Sequence, residues 1–486
     1  MTTLSQVREP VGAATMLPLV VDLDGTLLKV DTLYELFVHG LFNKPVETLR
    51  SLLALRQGIA AFKRRLSGVV ALDIASLPVR EELLTYLEHE AAAGREIHLV
   101  TAADHSVAAS IKGRFPVLQS VQGTDENGNL KGPAKARRLA ERFPDGFVYA
   151  GDSWADLPVW QGASGAIVVS ASPALRDAVR TAGTPVEQAF DKWPRRSRFW
   201  IKALRPHQWA KNLIVFVPVI LGWRDLAPAS LVTTVVMAGL LCIAASLTYL
   251  VNDMADLASD RKHWSKRRRP FASGAIALRD GLLAAVIGLP AVCILALLIS
   301  PLAGICLLCY VAVTMGYSFG WKLVPLFDTF IIGLLFTIRI LIGIAAADLA
   351  PSAWLLTFSM FFFFSLALAK RHTEILRAAE HHLQKLEGRG YLTGDETLTL
   401  AFGISASMAS VVIVVIYLVE EVFARQIYST PSWLWVAPVA IFLFCCRIWI
   451  LSHRGRMTDD PVAFALRDRV SLGLGVLVAI AILLAL

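Results

Sequence analysis

Charge is scarce in this chain. Asp, Glu, Lys and Arg make up 18% of its 486 residues, where an average soluble domain carries about a quarter. A chain that is also 55% hydrophobic is neither disordered nor collagenous, and it is too long for one small domain. Cysteine is sparse as well. The six, Cys242, Cys293, Cys306, Cys309, Cys445 and Cys446, all lie inside apolar runs. Cys306 and Cys309 form a C-x-x-C with no second pair and no His beside it, which argues against a zinc site there. All six read as small apolar residues on buried helices. No secretory leader is expected: the first apolar run, 16–21, is short and leads into acidic residues, so the soluble part is expected to stay in the cytoplasm.

What is present falls into two halves. Residues 1–190 carry 19 Lys+Arg against 21 Asp+Glu, like an ordinary soluble domain, whereas residues 191–486 carry 28 against 18. The positive excess therefore sits in the apolar half, which points to a lipid bilayer as partner rather than to nucleic acid. Apolar runs occur near 209–222, 229–251, 282–300, 302–319, 327–346, 354–369, 398–419, 433–450 and 472–486. Nine spans are expected, the first and last of them short for a bilayer that needs about 20 residues. With the N-terminus inside, the inward segments hold 24 Lys+Arg, and the outward loops hold only Arg224 and Arg425. That split follows the positive-inside rule. Between the halves, Trp193, Phe199 and Trp200 are interleaved with cations. This stretch reads as an interfacial anchor rather than a Gly/Ser spacer.

Polar residues at membrane depth are costly and mark function. The second span closes on N-D-x-x-D-x-x-x-D, formed by Asn252, Asp253, Asp256 and Asp260. Steps of three and four place the carboxylates on one helix face. Like charges so close require a cation between them, and oxygen-only ligands suit Mg²⁺ bridging to phosphates. The following basic run contains Lys266 and Arg269, which could hold phosphate as well as touch anionic headgroups. Further in, Tyr317, Lys322, Asp328 and Arg339 lie around the fourth and fifth spans. Arg339 in mid-span needs an internal carboxylate or phosphate partner; a structural pair with Asp328 is the simplest alternative. Arg205 and Lys211 open the first span, and Lys370 and Arg371 end the sixth. These two groups are either hydrogen-bond donors to phosphate or a snorkelling belt.

These residues carry a resemblance. Over about residues 200–486 the chain resembles the UbiA superfamily of intramembrane prenyltransferases, whose members have nine helices and two Asp-bearing motifs around a central cavity. Quinone-type members usually carry two or more Asp in the second motif, and here Asp328 stands alone. The Arg205-Pro-x-Gln-Trp-x-Lys211 start, Phe336-x-x-Arg339 and Lys370-Arg371 instead resemble the decaprenyl-phosphate phosphoribosyltransferase branch. That resemblance implies a polyprenyl phosphate acceptor and a phosphoribosyl pyrophosphate donor, with Mg²⁺ as cofactor. A prenyl diphosphate moved to an aromatic acceptor is the alternative. A transporter or lipid-binding scaffold is the alternative from another class.

In the soluble half, an apolar strand ends in Asp22-Leu-Asp24-Gly-Thr. A second apolar segment, 96–100, runs into Thr101, Lys135 follows, and a strand at 146–150 leads to Gly-Asp152-x-x-x-Asp156. All but Lys135 fall at the carboxyl ends of presumed parallel strands, where α/β sheets place their sites. Asp22 is a candidate nucleophile and Asp24 a general acid/base. Asp22, Asp24 and Asp152 are the candidate Mg²⁺ group, with Thr101 and Lys135 for a phosphoryl group. This arrangement resembles the haloacid dehalogenase superfamily and implies a phosphoaspartate on Asp22 and Mg²⁺-dependent phosphatase chemistry. The expected organisation is an N-terminal tail at 1–15, then an α/β Rossmann-like domain at 16–185 with a helical cap at about 32–87. A basic aromatic linker at 186–203 and an all-α multi-pass membrane domain at 204–486 complete it.

Overall fold

The computed structural model describes residues 16–486 apart from 126–127, 170–171, 192–195, 387, 425, 427, 458–463 and 466. Trp193 and Arg425 thus lie outside the described residues. The chain forms two compact units: Met1–Ala203 with Asp253–Leu282, and Leu204–Asn252 with Leu283–Leu486.

The first unit is built on six parallel strands, β1 Leu19–Val21, β2 Ile97–Asp104, β3 Ser120–Thr124, β4 Val148–Gly151, β5 Gly165–Val169 and β6 Val186–Phe190. Their order is β3-β2-β1-β4-β5-β6. The inner strands β1, β4 and β5 are buried on both faces, as a sheet covered by helices on both sides requires. Leu19 and Val21 pack with Ile97, Leu99, Val148 and Ile167 on one face. Val20 points the other way, to Val100, Tyr149, Val168 and Trp160. The strand order reverses between β1 and β4, the switch point at which such sheets open a crevice.

Between β1 and β2 lie α1 Thr32–Asn43, α2 Pro45–Ser51 and α3 Ile59–Val69. They enclose a small core of Leu36, Ala54, Phe62 and Leu66. The cap expected at 32–87 is thus helical, and its end runs into α4 Glu81–Ala92. β6 occupies the first five residues of the stretch read as linker. Its burial is slight, because an edge strand paired on one side needs few apolar residues, and so its sequence did not read as a strand.

Among the described residues, seven helical stretches are long and apolar enough to cross a membrane: Pro228–Ala255, Leu278–Ile299, Pro301–Phe319, Phe327–Ala347, Ala353–Glu380, Thr393–Phe423 and Pro431–His453. The count of nine is not reproduced. The helix Arg469–Ala485 has 17 residues, about 26 Å at the usual rise and short of a bilayer core of about 30 Å. The run at 209–222 is not one helix: a 3₁₀ segment, Pro206–Phe216, precedes the short helix Val217–Leu221. Pro206 and Pro218 lack the N–H groups that a continuous helix uses. Phe327–Ala347 is 61% buried over its most apolar stretch, against 22% for Leu278–Ile299. The former is therefore the inner helix, consistent with its carrying Asp328 and Arg339.

Candidate active sites

In the first unit, Asp22 follows β1 and Asp152 follows β4, adjacent central strands, so both carboxylates meet at the switch point. Lys135 Nζ donates to Asp22 Oδ1 at 2.8 Å and to the Tyr149 hydroxyl at 2.8 Å. Tyr149 in turn donates to Asp156 Oδ1 at 2.8 Å. Asp156 Oδ2 accepts from the Asp152 and Ser153 amides and from Ser153 Oγ, which fixes the turn that presents Asp152. Asp22, Asp152 and Asp156 have ligand oxygens within 4.8 Å of one another. Three hard oxygen donors at this spacing fit a Mg²⁺ ion.

Asp24 is held apart from that trio, with Oδ1 accepting from the Thr32 amide at 2.8 Å and Oδ2 from Thr32 Oγ1 at 3.3 Å. The sequence places Asp24 with the metal residues; in the structure the three carboxylates that converge are Asp22, Asp152 and Asp156. Thr101 lies inside β2, fully buried, and its Oγ1 accepts from the Ala103 amide. Gly25 has φ +75°, and a Cβ there would lie 2.5 Å from Asp152 Oδ2. Only glycine allows that approach of loop to carboxylate.

Burial raises Asp22 to about 6, against the pull of Lys135. Asp24 is pushed well above the usual carboxylate range by burial and by Asp31, which favours a protonated acid ready to donate. Tyr149 is raised well above its usual value by burial and the nearby carboxylates, so it stays a donor. A cleft of about 870 Å³ opens over these groups, lined also by Lys63, Arg80 and Arg279. Lys63 comes from the cap and donates to the Ala102 carbonyl and Asn129 Oδ1. Nothing in the sequence marks Tyr149, Lys63 or Arg80. A strand tyrosine and cap cations carry no motif, and only the fold brings them to the site.

The acidic motif also belongs to the first unit from Asp253 onward. The helix breaks at Asp256, which caps the short helix Leu257–Lys262, so the carboxylates do not share one continuous helix face. Asp253 and Asp260 nonetheless converge. Arg269 Nη1 lies 3.2 Å from Asp253 Oδ1 and 2.6 Å from Asp260 Oδ2. Two buried carboxylates sharing one cationic nitrogen form a donor set that suits Mg²⁺. Burial raises Asp260 to about 6, with Arg269 opposing and Asp253 and Asp256 adding to the rise. Asp256 is half-buried and Lys266 exposed. Arg261 forms a bidentate pair with Glu35 of the cap at 2.9 and 2.6 Å, a contact that sequence distance concealed.

In the second unit, Asp328 pairs with Arg371 rather than Arg339. Arg371 Nη2 lies 2.8 Å from Asp328 Oδ2, both side chains almost fully buried. Tyr391 donates to Asp328 Oδ1 at 2.6 Å. Arg371 also pairs with Glu374, and Lys370 lies 3.9 Å from Glu374. The carboxylate partner expected for Arg339 is absent among the described residues. Its Nε donates to Asn212 Oδ1 at 2.9 Å, Nη2 to the Tyr310 hydroxyl at 3.1 Å and Nη1 to the Leu335 carbonyl at 2.7 Å. Neutral acceptors satisfy its geometry and leave its charge for an incoming anion. Asn252 Oδ1 accepts from Ser318 Oγ, Arg205 stacks 5.1 Å from the Tyr249 ring, and Arg389 lies 5.4 Å from the Tyr317 ring. Lys322 is buried in the turn Trp321–Leu323, and Lys211 lies in the 3₁₀ segment.

A parallel-sheet hydrolase-like domain joined to a polar-cored helical membrane domain is the class these features define. Matches to known proteins agree. The profile of the UbiA prenyltransferase family covers residues 213–472, and that of haloacid dehalogenase-like hydrolases covers residues 19–161. The chain belongs to the UbiA prenyltransferase family and carries an N-terminal haloacid dehalogenase-like domain. It is 42% identical to the uncharacterized protein y4nM of Sinorhizobium fredii over 97% of this chain and 91% of that one. It is 32% identical to the nodulation protein NoeC of Azorhizobium caulinodans over 58% of this chain and 92% of that one. It is 31% identical to the decaprenyl-phosphate phosphoribosyltransferase of Mycolicibacterium smegmatis over 56% of this chain and 86% of that one.

Proposed function

We propose that the chain transfers 5-phosphoribose from phosphoribosyl pyrophosphate to a polyprenyl phosphate in the membrane, and that its hydrolase-like domain then removes the 5-phosphate. The observation that carries the reading is the state of Asp328. The lone carboxylate of the second motif is already neutralised by Arg371 and held by Tyr391, while among the described residues Arg339 is held by neutral acceptors. A polar core with cations in excess suits a lipid monophosphate and a highly phosphorylated donor better than a second metal on a prenyl diphosphate. The relatives named decaprenyl-phosphate phosphoribosyltransferase point the same way.

In the transfer, an oxygen of the lipid phosphate bonds to C1 of the ribose, the C1–oxygen bond to pyrophosphate breaks, and pyrophosphate leaves. Asn252, Asp253, Asp256 and Asp260 would hold Mg²⁺ against the donor's pyrophosphate, with Lys266 and Arg269 as cationic neighbours. The ion supplies neutralisation of charge growing on the leaving group. Arg339, Arg371, Lys370, Lys322, Tyr317, Arg205 and Lys211 are assigned to the phosphate-bearing substrates. In the hydrolase-like domain, where Asp22, Asp152 and Asp156 would hold Mg²⁺, Asp22 attacks the 5-phosphate phosphorus. Asp24 gives its proton to the departing ribose oxygen. Water then cleaves the phosphoaspartate, with Asp24 accepting the proton. Lys135, which lines the cleft, is assigned to the phosphoryl group, whereas Thr101, expected beside it, is buried within β2 and is not among the cleft-lining residues. The domain is assigned to the cytoplasmic side, tethered at the membrane by the 190–200 stretch.

The test is reconstitution of the full chain with labelled phosphoribosyl pyrophosphate, polyprenyl phosphate and Mg²⁺. Label should enter the lipid fraction. No labelled lipid, with consumption of a prenyl diphosphate in the presence of an aromatic acid, would establish the other family chemistry instead.

A further inference from the structure

Apart from both candidate active sites, three side chains of the second unit converge without any role in the chemistry above. His372 lies on the helix Ala353–Glu380, Glu396 opens the helix Glu396–Tyr417, and His453 closes the helix Val436–His453. Each offers one ligand atom, and the three atoms lie within 4.8 Å of one another. The imidazoles of His372 and His453 stack at 5.8 Å with an interplanar angle of 16°.

The hydrogen bonds decide which nitrogen of His372 is available. Thr399 Oγ1 donates its proton to the Glu396 carbonyl at 2.9 Å, so toward the imidazole it can only accept. His372 Nδ1, 3.2 Å from that oxygen, must therefore carry the proton and donate it. Nε2 is left with its lone pair, since a neutral imidazole carries one N–H. His372 is fully buried, and its Nε2 has no hydrogen-bond partner among the described residues. A buried acceptor left unmatched costs about 1–3 kcal/mol. An imidazole whose Nδ1–H is anchored by an oxygen and whose Nε2 is bare is the arrangement that metal-ligating histidines adopt.

We propose that His372, His453 and Glu396 form a binding site for a divalent transition-metal ion, of which Zn²⁺ is the representative. Two imidazoles and a carboxylate favour Zn²⁺ over Mg²⁺, which prefers oxygen ligands and keeps its water. Three protein ligands leave a further position for water. The ion ties three helices together one residue beyond Arg371. It thereby fixes the rotation of the helix that presents Arg371 to Asp328, which is a positioning role.

The test uses the purified full chain, incubated with ZnCl₂ in millimolar Mg²⁺ so that the carboxylate sites are occupied, then passed over gel filtration. Metal analysis should find about one more zinc ion per chain in the unaltered protein than in His453→Ala or Glu396→Gln. His381→Ala, just past the end of the helix that carries His372, should retain the unaltered content. Zinc should raise the melting temperature of the unaltered protein but not of His453→Ala. Co²⁺ on the unaltered chain provides a readout that needs no variant: strong visible absorption of a four- or five-coordinate N,O site is expected. Equal zinc in the unaltered chain and both site variants, or only the weak absorption of six-coordinate Co²⁺, would overturn the proposal.

Discussion

Arg269 stands between Asp253 and Asp260, where on the proposed reading Mg²⁺ would bind, and that makes Arg269→Gln an informative perturbation. Asp253 and Asp260 both contact the same guanidinium nitrogen, at 3.2 and 2.6 Å. Their oxygens are thus at most about 6 Å apart, and at an effective dielectric of about 20 the bare repulsion is ~3 kcal/mol. Removing one partner of a buried pair costs ~3–5 kcal/mol, a range to be discounted here because the Arg269 side chain is 26% exposed. Protonation limits the loss further. Asp260 is already raised to about 6, so neutralising it at pH 7.5 costs only ~2 kcal/mol. The expected loss in the metal-free variant is therefore ~2–3 kcal/mol, smaller at pH 6 than at pH 7.5.

Magnesium should reverse it. An ion at a hundred times its dissociation constant returns ~2.7 kcal/mol, about what the guanidinium supplied. In thermal melts of the detergent-solubilised chain, Arg269→Gln should melt earlier than the unaltered protein without Mg²⁺ and recover most of the difference with it. The unaltered protein should gain less, because there Mg²⁺ must displace Arg269. If both proteins gain equally from Mg²⁺, or the variant melts unchanged without it, Arg269 is not standing in for a cation.

Four further outcomes are expected. Asp253→Ala should abolish lipid labelling in reconstituted membranes while hydrolysis of a soluble phosphomonoester by the Asp22 site continues. Asp22→Asn should leave the transfer running and make the 5-phosphorylated lipid accumulate, as read by chromatography of the labelled product; the same dephosphorylated lipid as from the unaltered chain would refute the coupling. The hydrolytic rate at limiting Mg²⁺ should fall as pH drops through about 6. Asp22 is raised to about 6, so below that value its proton competes with the metal and blocks its nucleophile; a rate flat down to pH 5 would contradict this. Glu35→Gln, which strands the buried Arg261, should cost ~3 kcal/mol in melts, and the double variant Glu35→Leu/Arg261→Met should regain much of it.

The legible parts of this protein are those in which chemistry and chain spacing coincide. Asp22, Thr101 and Asp152 stand beside apolar runs whose β-strand character is strong, and the fold brings Asp22 and Asp152 together with Lys135, from a polar helix, around one cleft. Asp253 and Asp260 could be paired from their spacing alone, although the break at Asp256 could not. What escaped the sequence depends on packing between distant segments. Arg371 rather than Arg339, the alternative partner, stands opposite Asp328, and Tyr391, sixty-three residues on, holds the same carboxylate. Arg339 found Asn212 and Tyr310 on other helices. β6 escaped for another reason: an edge strand has no apolar alternation to betray it.

The acidic motif from Asp253 onward and the Asp22 site fall in one compact unit, although the first lies in the stretch matched by the UbiA profile and the second in the hydrolase-like match. The cap residue Glu35 is bonded to Arg261, one residue beyond the last aspartate of the motif. On the proposed reading this joint has a thermodynamic consequence. Transfer of phosphoribose to a lipid phosphate is reversible by attack of pyrophosphate, and the reverse reaction needs the 5-phosphate for recognition by the same cationic groups. A hydrolase held beside the donor-binding motif meets the product at an effective concentration that can reach the millimolar range. Removing the phosphate then withdraws the lipid from the reverse reaction, so the equilibrium is drawn toward the ribosyl lipid without any change in the transferase site. Physical tethering thus substitutes for tighter product binding, which would slow release from the membrane site.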